Sequence, residues 1–168
     1  ILYTSGTTGK PKGIVHTHAG CLATMTKELG YAFDVHAGDR FFWLTDIGWM
    51  MGPWAMIGVL ALGATLVLFE GAPNWPRNDR LFEIVEKHKV THLGVAPTAV
   101  RLLRRSGEEP SQGHDLSSLR ILGSTGEPWA PESWAWFFER VGGARCPLVN
   151  ISGGPAMVDS KMAPLAVH

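Results

Sequence analysis

Residues 91–95 read T-H-L-G-V and residues 119–123 read L-R-I-L-G, two short and mostly apolar runs. Such runs are typical of strands in a parallel sheet that is covered on both faces. The stretch 97–106 between them favours a helix, and Pro97 stands where a first helical turn accepts proline. Strand, helix and strand in this order predict a parallel β–α–β unit.

The same alternation extends over most of the chain. Strands are predicted near 1–4, 12–16, 41–45, 65–69, 91–95, 119–123 and 147–151, and helices near 18–30, 49–62, 78–88, 97–106 and 131–141. The predicted fold class is α/β, with a largely parallel sheet and flanking helices. Sites in such folds lie beyond the C-terminal ends of the strands, so we expect the functional residues there.

Composition excludes several classes of protein. The chain has 168 residues, of which 45% are hydrophobic and 18% charged, so it is one domain or a piece of one and is not disordered. Fifteen basic residues balance fifteen acidic ones, which gives no electrostatic reason to expect nucleic acid or an anionic membrane as a partner. Cys21 and Cys146 are too far apart in sequence for a C-x-x-C unit, and a cytoplasmic location is expected.

Residues 47–69 contain no charged side chain, and 23 residues are enough to cross a bilayer. Glycines interrupt this stretch, and A-L-G-A is followed by the strand-like run T-L-V-L-F. We therefore predict a buried helix, a glycine turn and a buried strand here.

The most specific chemical signal is T-S-G-T-T-G-K-P-K-G, residues 4–13. Its glycines allow the backbone to present N–H groups to an anion, and its hydroxyls and two lysines add donors and positive charge. The loop suits a polyphosphate, but it does not fit the Walker A pattern. For a lone loop of this type, a solvated turn with two surface lysines would be the simpler interpretation.

Four further motifs follow this loop in order: T-D-I-G-W (45–49), A-P-T-A-V-R (96–101), D-L-S-S-L-R (115–120) and G-S-T-G-E-P (123–128). Together they resemble the adenylate-forming (AMP-binding) superfamily, and within it the acyl-CoA synthetases of the acetyl-CoA synthetase type. The resemblance extends from residue 1 to about residue 151. It implies that residues 1–168 are a central fragment of the large N-terminal domain, without the C-terminal domain.

The resemblance implies a ligase that uses ATP, Mg²⁺ and coenzyme A. A short- or medium-chain carboxylic acid attacks the α-phosphate of ATP to give acyl-adenylate, and the coenzyme A thiol then displaces AMP. The family's adenylation lysine lies in the C-terminal domain, so no catalytic residue is assigned within these 168 residues. The expected partners are the acid, ATP, coenzyme A and the remainder of the parent chain, with no nucleic acid and no membrane span.

The resemblance also implies roles for individual residues. The β- and γ-phosphates would bind to Thr4, Ser5, Gly6, Thr7, Thr8, Gly9, Lys10 and Lys12. Gly126, Glu127 and Pro128 would form the adenine-binding turn, although G-E-P alone also fits an ordinary strand-to-helix turn. The acid would be bordered by Trp49, Met50, Met51, Thr125 and Gly153, although Trp and Met also fill cores.

Two features of the sequence bear on whether the chain binds a metal ion. His16 and His18 would share one face of a strand, but no third ligand for zinc is evident. After V-N-I-S-G-G (149–154) the family continues with Thr-Glu, and its glutamate helps to hold Mg²⁺, whereas this chain has Pro155 and Ala156. No metal ligand is therefore predicted.

The family's adenine-stacking aromatic residue is also missing near Ser152. Pro155 and Ala156 favour one alternative, a non-catalytic nucleotide-binding remnant. The resemblance leaves a second alternative open, an adenylation domain that feeds a carrier protein.

Overall fold

The computed structural model of the protein describes residues 1–3, 9–105 and 109–152. The elements are β1 (Leu2–Tyr3), β2 (Gly13–Ile14), α1 (His18–Ala32), β3 (Arg40–Trp43), α2 (Met51–Ala61), β4 (Thr65–Val67), α3 (Arg80–His88), β5 (His92–Gly94), α4 (Pro97–Arg105), β6 (Ile121–Thr125), α5 (Pro131–Trp136) and β7 (Leu148–Ile151). All of the strands and helices expected from sequence are found, although several are shorter than expected.

Five strands form one parallel sheet in the order β4-β3-β5-β6-β7, and β1 pairs with β2 in a separate antiparallel ribbon. Helices α1 and α2 pack on one face of the sheet, and α3, α4 and α5 pack on the other. The predicted α/β class is therefore confirmed. Strand β4 lies on one side of β3 in the sheet, and β5, the next strand in sequence, lies on the other side of β3. The direction in which strands are added therefore reverses, which makes the β3–β5 boundary a topological switch point.

Helix boundaries follow local chemistry. Helix α1 begins after Thr17, whose hydroxyl accepts a hydrogen bond from Gly20 N at 3.0 Å. Pro97 and Pro131 occupy first helical positions, as predicted. The helix expected over 131–141 is α-helical only to Trp136 and continues as a π-helical segment over Phe137–Val141.

The uncharged stretch 47–69 forms α2, a turn at Gly63 with a φ of 74°, and β4. This confirms the predicted helix, turn and strand. Helix α2 has 11 residues, and in the described ranges no helix is both long and apolar enough to span a bilayer.

The α1–α2 face of the sheet is built around Trp43. Its indole lies against Gly94 of β5 and Gly123 of β6, where an added Cβ would come within 2.0 and 2.6 Å of ring atoms. The rings of Phe33 and Trp54 pack edge-on against it, with centroids 5.7 and 5.2 Å away. Glycine at positions 94 and 123 therefore makes room for the indole of Trp43.

A polar network secures the opposite, N-terminal edge of the sheet. Arg120 donates hydrogen bonds of 2.7 Å to both Asp34 and Asp39. His92 is buried, and its Nε2 lies 2.8 Å from the Phe33 carbonyl oxygen. Burial lowers the pKa of His92, so the ring is neutral at pH 7 and serves the packing of this edge.

Candidate functional site

The C-terminal ends of β6 and β7 form a cavity of about 330 Å³, called here the β6–β7 cavity. Its lining residues are Thr125, Gly126, Glu127, Pro128, Asn150, Ile151 and Ser152. Pockets for small ligands typically measure about 300–1,000 Å³, so this cavity can hold a group the size of a nucleobase. Four of its residues come from the G-S-T-G-E-P motif. Gly126, Glu127 and Pro128 are those predicted to form the adenine-binding turn, and Thr125 is one of those predicted to border the acid.

The turn after β6 takes its shape from backbone chemistry. Gly126 has a φ of 102°, a conformation that costs a side-chain-bearing residue strain, although an added Cβ would meet no atom within 4 Å. Pro128 restricts the backbone two residues later. The Thr125 hydroxyl donates to the Ile151 carbonyl at 2.8 Å and so ties the ends of β6 and β7 together.

Glu127 is held by helix α4. Arg101 Nη2 donates to both carboxylate oxygens of Glu127, at 2.9 and 2.8 Å, and the Thr98 hydroxyl also donates to Oε1. The hydrogen bond from Thr98 and those from Arg101 lower the pKa of Glu127, so the carboxylate is ionised near neutral pH. Thr98 and Arg101 both belong to the A-P-T-A-V-R motif, so two motifs distant in sequence meet at this site.

The sequence analysis did not identify Asn150. Asn150 lines the β6–β7 cavity, and its Oδ1 is buried and has no hydrogen-bond partner within the described residues. Buried acceptors are normally paired, so this amide oxygen is available to a donor from a ligand or water. The available signal was a polar residue just before the end of an otherwise apolar strand, L-V-N-I.

Ser124 Oγ and Trp129 Nε1 are also buried and without partners in the described part of the chain. Ser124 is the register partner of Asn150 across β6 and β7. Unpaired polar atoms therefore occur on both strands at the end of the sheet where the cavity lies.

The structure describes only part of the expected phosphate loop. Thr4, Ser5, Gly6, Thr7 and Thr8 lie outside the described residues, as do Gly153 and Ala156. Gly9, Lys10 and Lys12 are exposed and lead into β2. The two lysines are thus open to solvent and to a ligand.

The residues expected around the acid are not gathered into one cavity. Trp49 is 72% exposed, Met50 is half-buried, and Met51 is buried in the core on the α1–α2 face. A cavity of about 550 Å³ at the ends of β3 and β4 is lined by Thr45, Asp46 and Ile47 from the T-D-I-G-W motif, but not by residues 49–51. Thr125 lines the β6–β7 cavity instead.

Two other candidate sites carry no predicted chemistry. A cavity of about 700 Å³ lies between residues 76–79 and 109–112 and contains none of the expected site residues. His16 is half-buried and His18 exposed. Across residues 1–3, 9–105 and 109–152, no group of three His, Cys, Asp or Glu side chains could hold a metal ion.

Comparison with known proteins decides the family. The model of the AMP-binding enzyme family matches residues 1–154 of this chain. The chain belongs to the AMP-binding enzyme family. The resemblance expected from the five motifs is therefore confirmed.

The relatives of this AMP-binding chain include acetyl-CoA synthetases. The enzyme of Cronobacter sakazakii is 49% identical over 151 residues, and that of Coprinopsis cinerea is 52% identical over 151 residues. Each alignment covers 89% of this chain and 23% of the relative. The chain thus spans about a quarter of the length of the curated relatives it matches.

A solved structure shares the fold of this AMP-binding chain. Acetoacetyl-CoA synthetase from Streptomyces lividans superimposes with a TM-score of 0.85 at 38% sequence identity. The match covers 94% of this chain and 24% of that protein. The parallel sheet with helices on both faces is therefore the arrangement found in an adenylate-forming enzyme.

Proposed function

We propose that the protein containing this chain activates a short- or medium-chain carboxylic acid with ATP, first to acyl-adenylate and then to acyl-CoA. The observation that carries the proposal is the β6–β7 cavity, which combines the family's G-E-P turn with the free amide oxygen of Asn150. The two kinds of synthetase found among the relatives support the same reaction class. A role in fatty acid metabolism in the cytoplasm is part of this proposal.

Residues 1–168 would form a central part of a large N-terminal domain, and a C-terminal domain would complete the active site. The 23% coverage of the relatives supports this division. Helix α2 supports it as well, because it is apolar on every side and leaves Ile57 and Leu60 41% and 60% exposed. An apolar helix face of this kind is usually covered in the complete protein.

ATP would bind with its phosphates on the loop from Thr4 to Lys12 and its adenine in the β6–β7 cavity. The lysines and backbone N–H groups would neutralise the phosphates, which lowers the barrier to attack by a carboxylate. The exocyclic amino group of adenine is a donor, and Asn150 Oδ1 is a matching buried acceptor. The coenzyme A thiol would then attack the acyl carbon, and AMP would leave.

Mg²⁺ supplies charge neutralisation on ATP throughout the family, but the residues of this chain do not fit a metal site well. The family's glutamate position carries Ala156, which has no side-chain oxygen, and no cluster of metal ligands occurs in the described ranges. We therefore assign no step of the reaction to a metal held by these residues.

The family resemblance assigns the acid to Trp49, Met50, Met51, Thr125 and Gly153, although the described members of this set do not line one common cavity. The family resemblance places Gly153 at the acid, and glycine has no side chain to fill the pocket, which favours space for a longer acyl chain. Each methylene buried there would contribute about 0.8 kcal/mol. Propionate and butyrate are accordingly expected to be used at least as well as acetate.

A second candidate function is nucleotide binding without catalysis, and Pro155 with Ala156 is the observation that favours it. These two positions lack the hydroxyl and carboxylate that the family places there, and Pro155 also lacks a backbone N–H. A carrier-protein adenylation domain is the third option, and the relatives named acetyl-CoA synthetase speak against it.

Acid-dependent exchange of radiolabelled pyrophosphate into ATP tests the proposal in the full-length protein. We expect exchange with acetate, propionate and butyrate, and AMP release when coenzyme A is added. A Pro155→Thr, Ala156→Glu double variant should raise the exchange rate by about 10²–10³, the usual value of one transition-state donor. No exchange by either protein would reject acid activation, and exchange by the double variant alone would establish the non-catalytic alternative.

A further inference from the structure

The β6–β7 cavity, proposed to hold adenine, carries a negative charge, and the ATP to which that adenine belongs is itself strongly negative. Glu127 lines the cavity, its side chain is 33% exposed, and its carboxylate is ionised near neutral pH. An unpaired carboxylate in the cavity proposed for adenine would repel the polyphosphate of the same nucleotide. The turn can serve a nucleotide well only if this charge is neutralised.

Helix α4 supplies the neutralising group. Thr98 and Arg101 lie three residues apart, so they share one face of the helix, and Arg101 Nη2 donates to Thr98 Oγ1 at 3.1 Å. The helix begins at Pro97, three residues after β5 ends at Gly94, which places this face at the C-terminal edge of the sheet. Both side chains meet Glu127 there.

Building on the proposed function, we propose that Arg101 is a positioning residue for ATP. It fixes the Glu127 carboxylate against α4, and it cancels the charge that would otherwise repel the phosphates. Thr98 holds the same carboxylate from the preceding turn of the helix. Arg101 thus acts through Glu127 and need not touch the reacting atoms.

A purely structural link between α4 and the turn would predict a different response to mutation. If the ion pair only stabilised the fold, removing either partner or both would lower the unfolding midpoint and leave the ATP KM of the folded enzyme unchanged. If it neutralises charge, removing Arg101 alone is the most harmful change for ATP. Removing the carboxylate as well then restores ATP binding.

The experiment compares Arg101→Met, Glu127→Gln and the double variant in the full-length protein, with the KM for ATP and for the acid measured separately. We expect Arg101→Met to raise the ATP KM about tenfold, with kcat and the acid KM within twofold. Adding Glu127→Gln should recover most of this loss, because the amide has no charge and still accepts a hydrogen bond from Thr98. Arg101→Lys should fall between the wild type and Arg101→Met.

Arg104→Met is the matched control on the same helix. Arg104 Nη1 donates to Ser133 Oγ at 2.8 Å, so it ties α4 to α5 and not to the turn, and its replacement should leave the ATP KM unchanged. The increase in the ATP KM caused by Arg101→Met should also shrink as salt is added. The side chains of Arg101 and Glu127 are about one-third exposed, so salt screens their charges.

An unchanged ATP KM in Arg101→Met, or no recovery in the double variant, would overturn the positioning role while leaving acid activation intact. A wild type without pyrophosphate exchange would instead reject the proposed function. In that case ATP affinity, measured by calorimetry on the same variants, decides the positioning role. A wild type that binds no ATP rejects both.

Discussion

At the scale of single residues, two glycines show most clearly why the fold requires a residue without a side chain. Gly94 leaves no room for a methyl group, because Trp43 ring atoms lie 2.0 Å from where its Cβ would be. Gly126 has open space around it and is required for its φ of 102° instead. The same residue type is thus needed at these two positions for different physical reasons.

Replacing Gly94 with alanine should destabilise the protein by about 3 kcal/mol, the upper end of the usual cost of overpacking. The rings of Phe33 and Trp54 pack against the indole of Trp43 and restrict its movement. Chemical denaturation of the full-length protein measures the effect. The control is Gly30→Ala within α1, where the nearest atom is 3.9 Å away, and it should be neutral or stabilise by about 0.5–1 kcal/mol. Equal stability of the two variants would contradict this account of the core.

Arg101 and Glu127 show what sequence reasoning could not reach at this scale. Both belong to motifs that were recognised, and Glu127 was assigned to the adenine turn. Their pairing joins residues 26 positions apart, and it depends on where α4 crosses the edge of the sheet. The sequence did not identify Asn150 for a related reason. A buried atom without a hydrogen-bond partner can be recognised only when the positions of its neighbours are known.

At the scale of elements, the order of strands and helices followed from local patterns. Apolar runs, prolines at helix starts and the glycine turn at 63 all lie where the structure uses them. The π-helical segment after Trp136 was not predicted, because apolar periodicity does not distinguish α-helical from π-helical hydrogen bonding over a single turn. The packing of α1 on α2 likewise required three-dimensional contacts.

One contact between α1 and α2 predicts that the stability of the protein depends on pH. Glu28 of α1 accepts a 2.9 Å hydrogen bond from Trp54 Nε1 of α2, and burial raises its pKa despite that bond. A raised pKa in the folded state means that the carboxylate costs stability once the pH exceeds this pKa, whereas the protonated form at low pH carries no such cost. Glu28→Gln should therefore stabilise the protein at pH 7, because the amide carries no charge and its oxygen can still accept the hydrogen bond from Trp54.

Thermal unfolding of the wild type and Glu28→Gln at pH 7 and pH 4 checks this expectation. The unfolding temperature of Glu28→Gln should exceed that of the wild type at pH 7, and the difference should shrink at pH 4, where Glu28 itself is largely protonated. Glu139→Gln, at an exposed position of the π-helical segment, serves as the control and should show no such difference. A gain of equal size at both pH values would show that burial of the charge is not its cause.

At the scale of the whole molecule, the parallel sheet brings recognised motifs together at one edge. The turn after β6, the end of β7 and the start of α4 come from three separate parts of the chain and enclose or support the β6–β7 cavity. Fold class and family could be predicted because these motifs are local in sequence. The acid pocket could not be verified in the same way, since Met51 packs in the core and Thr125 lines a different cavity from residues 45–47.

Photolabelling of the full-length protein with 2-azido-ATP tests most directly whether the β6–β7 cavity binds adenine. After irradiation and digestion, mass spectrometry identifies the labelled peptides, with excess unlabelled ATP as competitor. We expect competable label in peptides that contain residues 125–128 or 150–152, and less label there in an Asn150→Ala variant. Competable label found only in other peptides would contradict the assignment of the adenine site to this edge of the sheet.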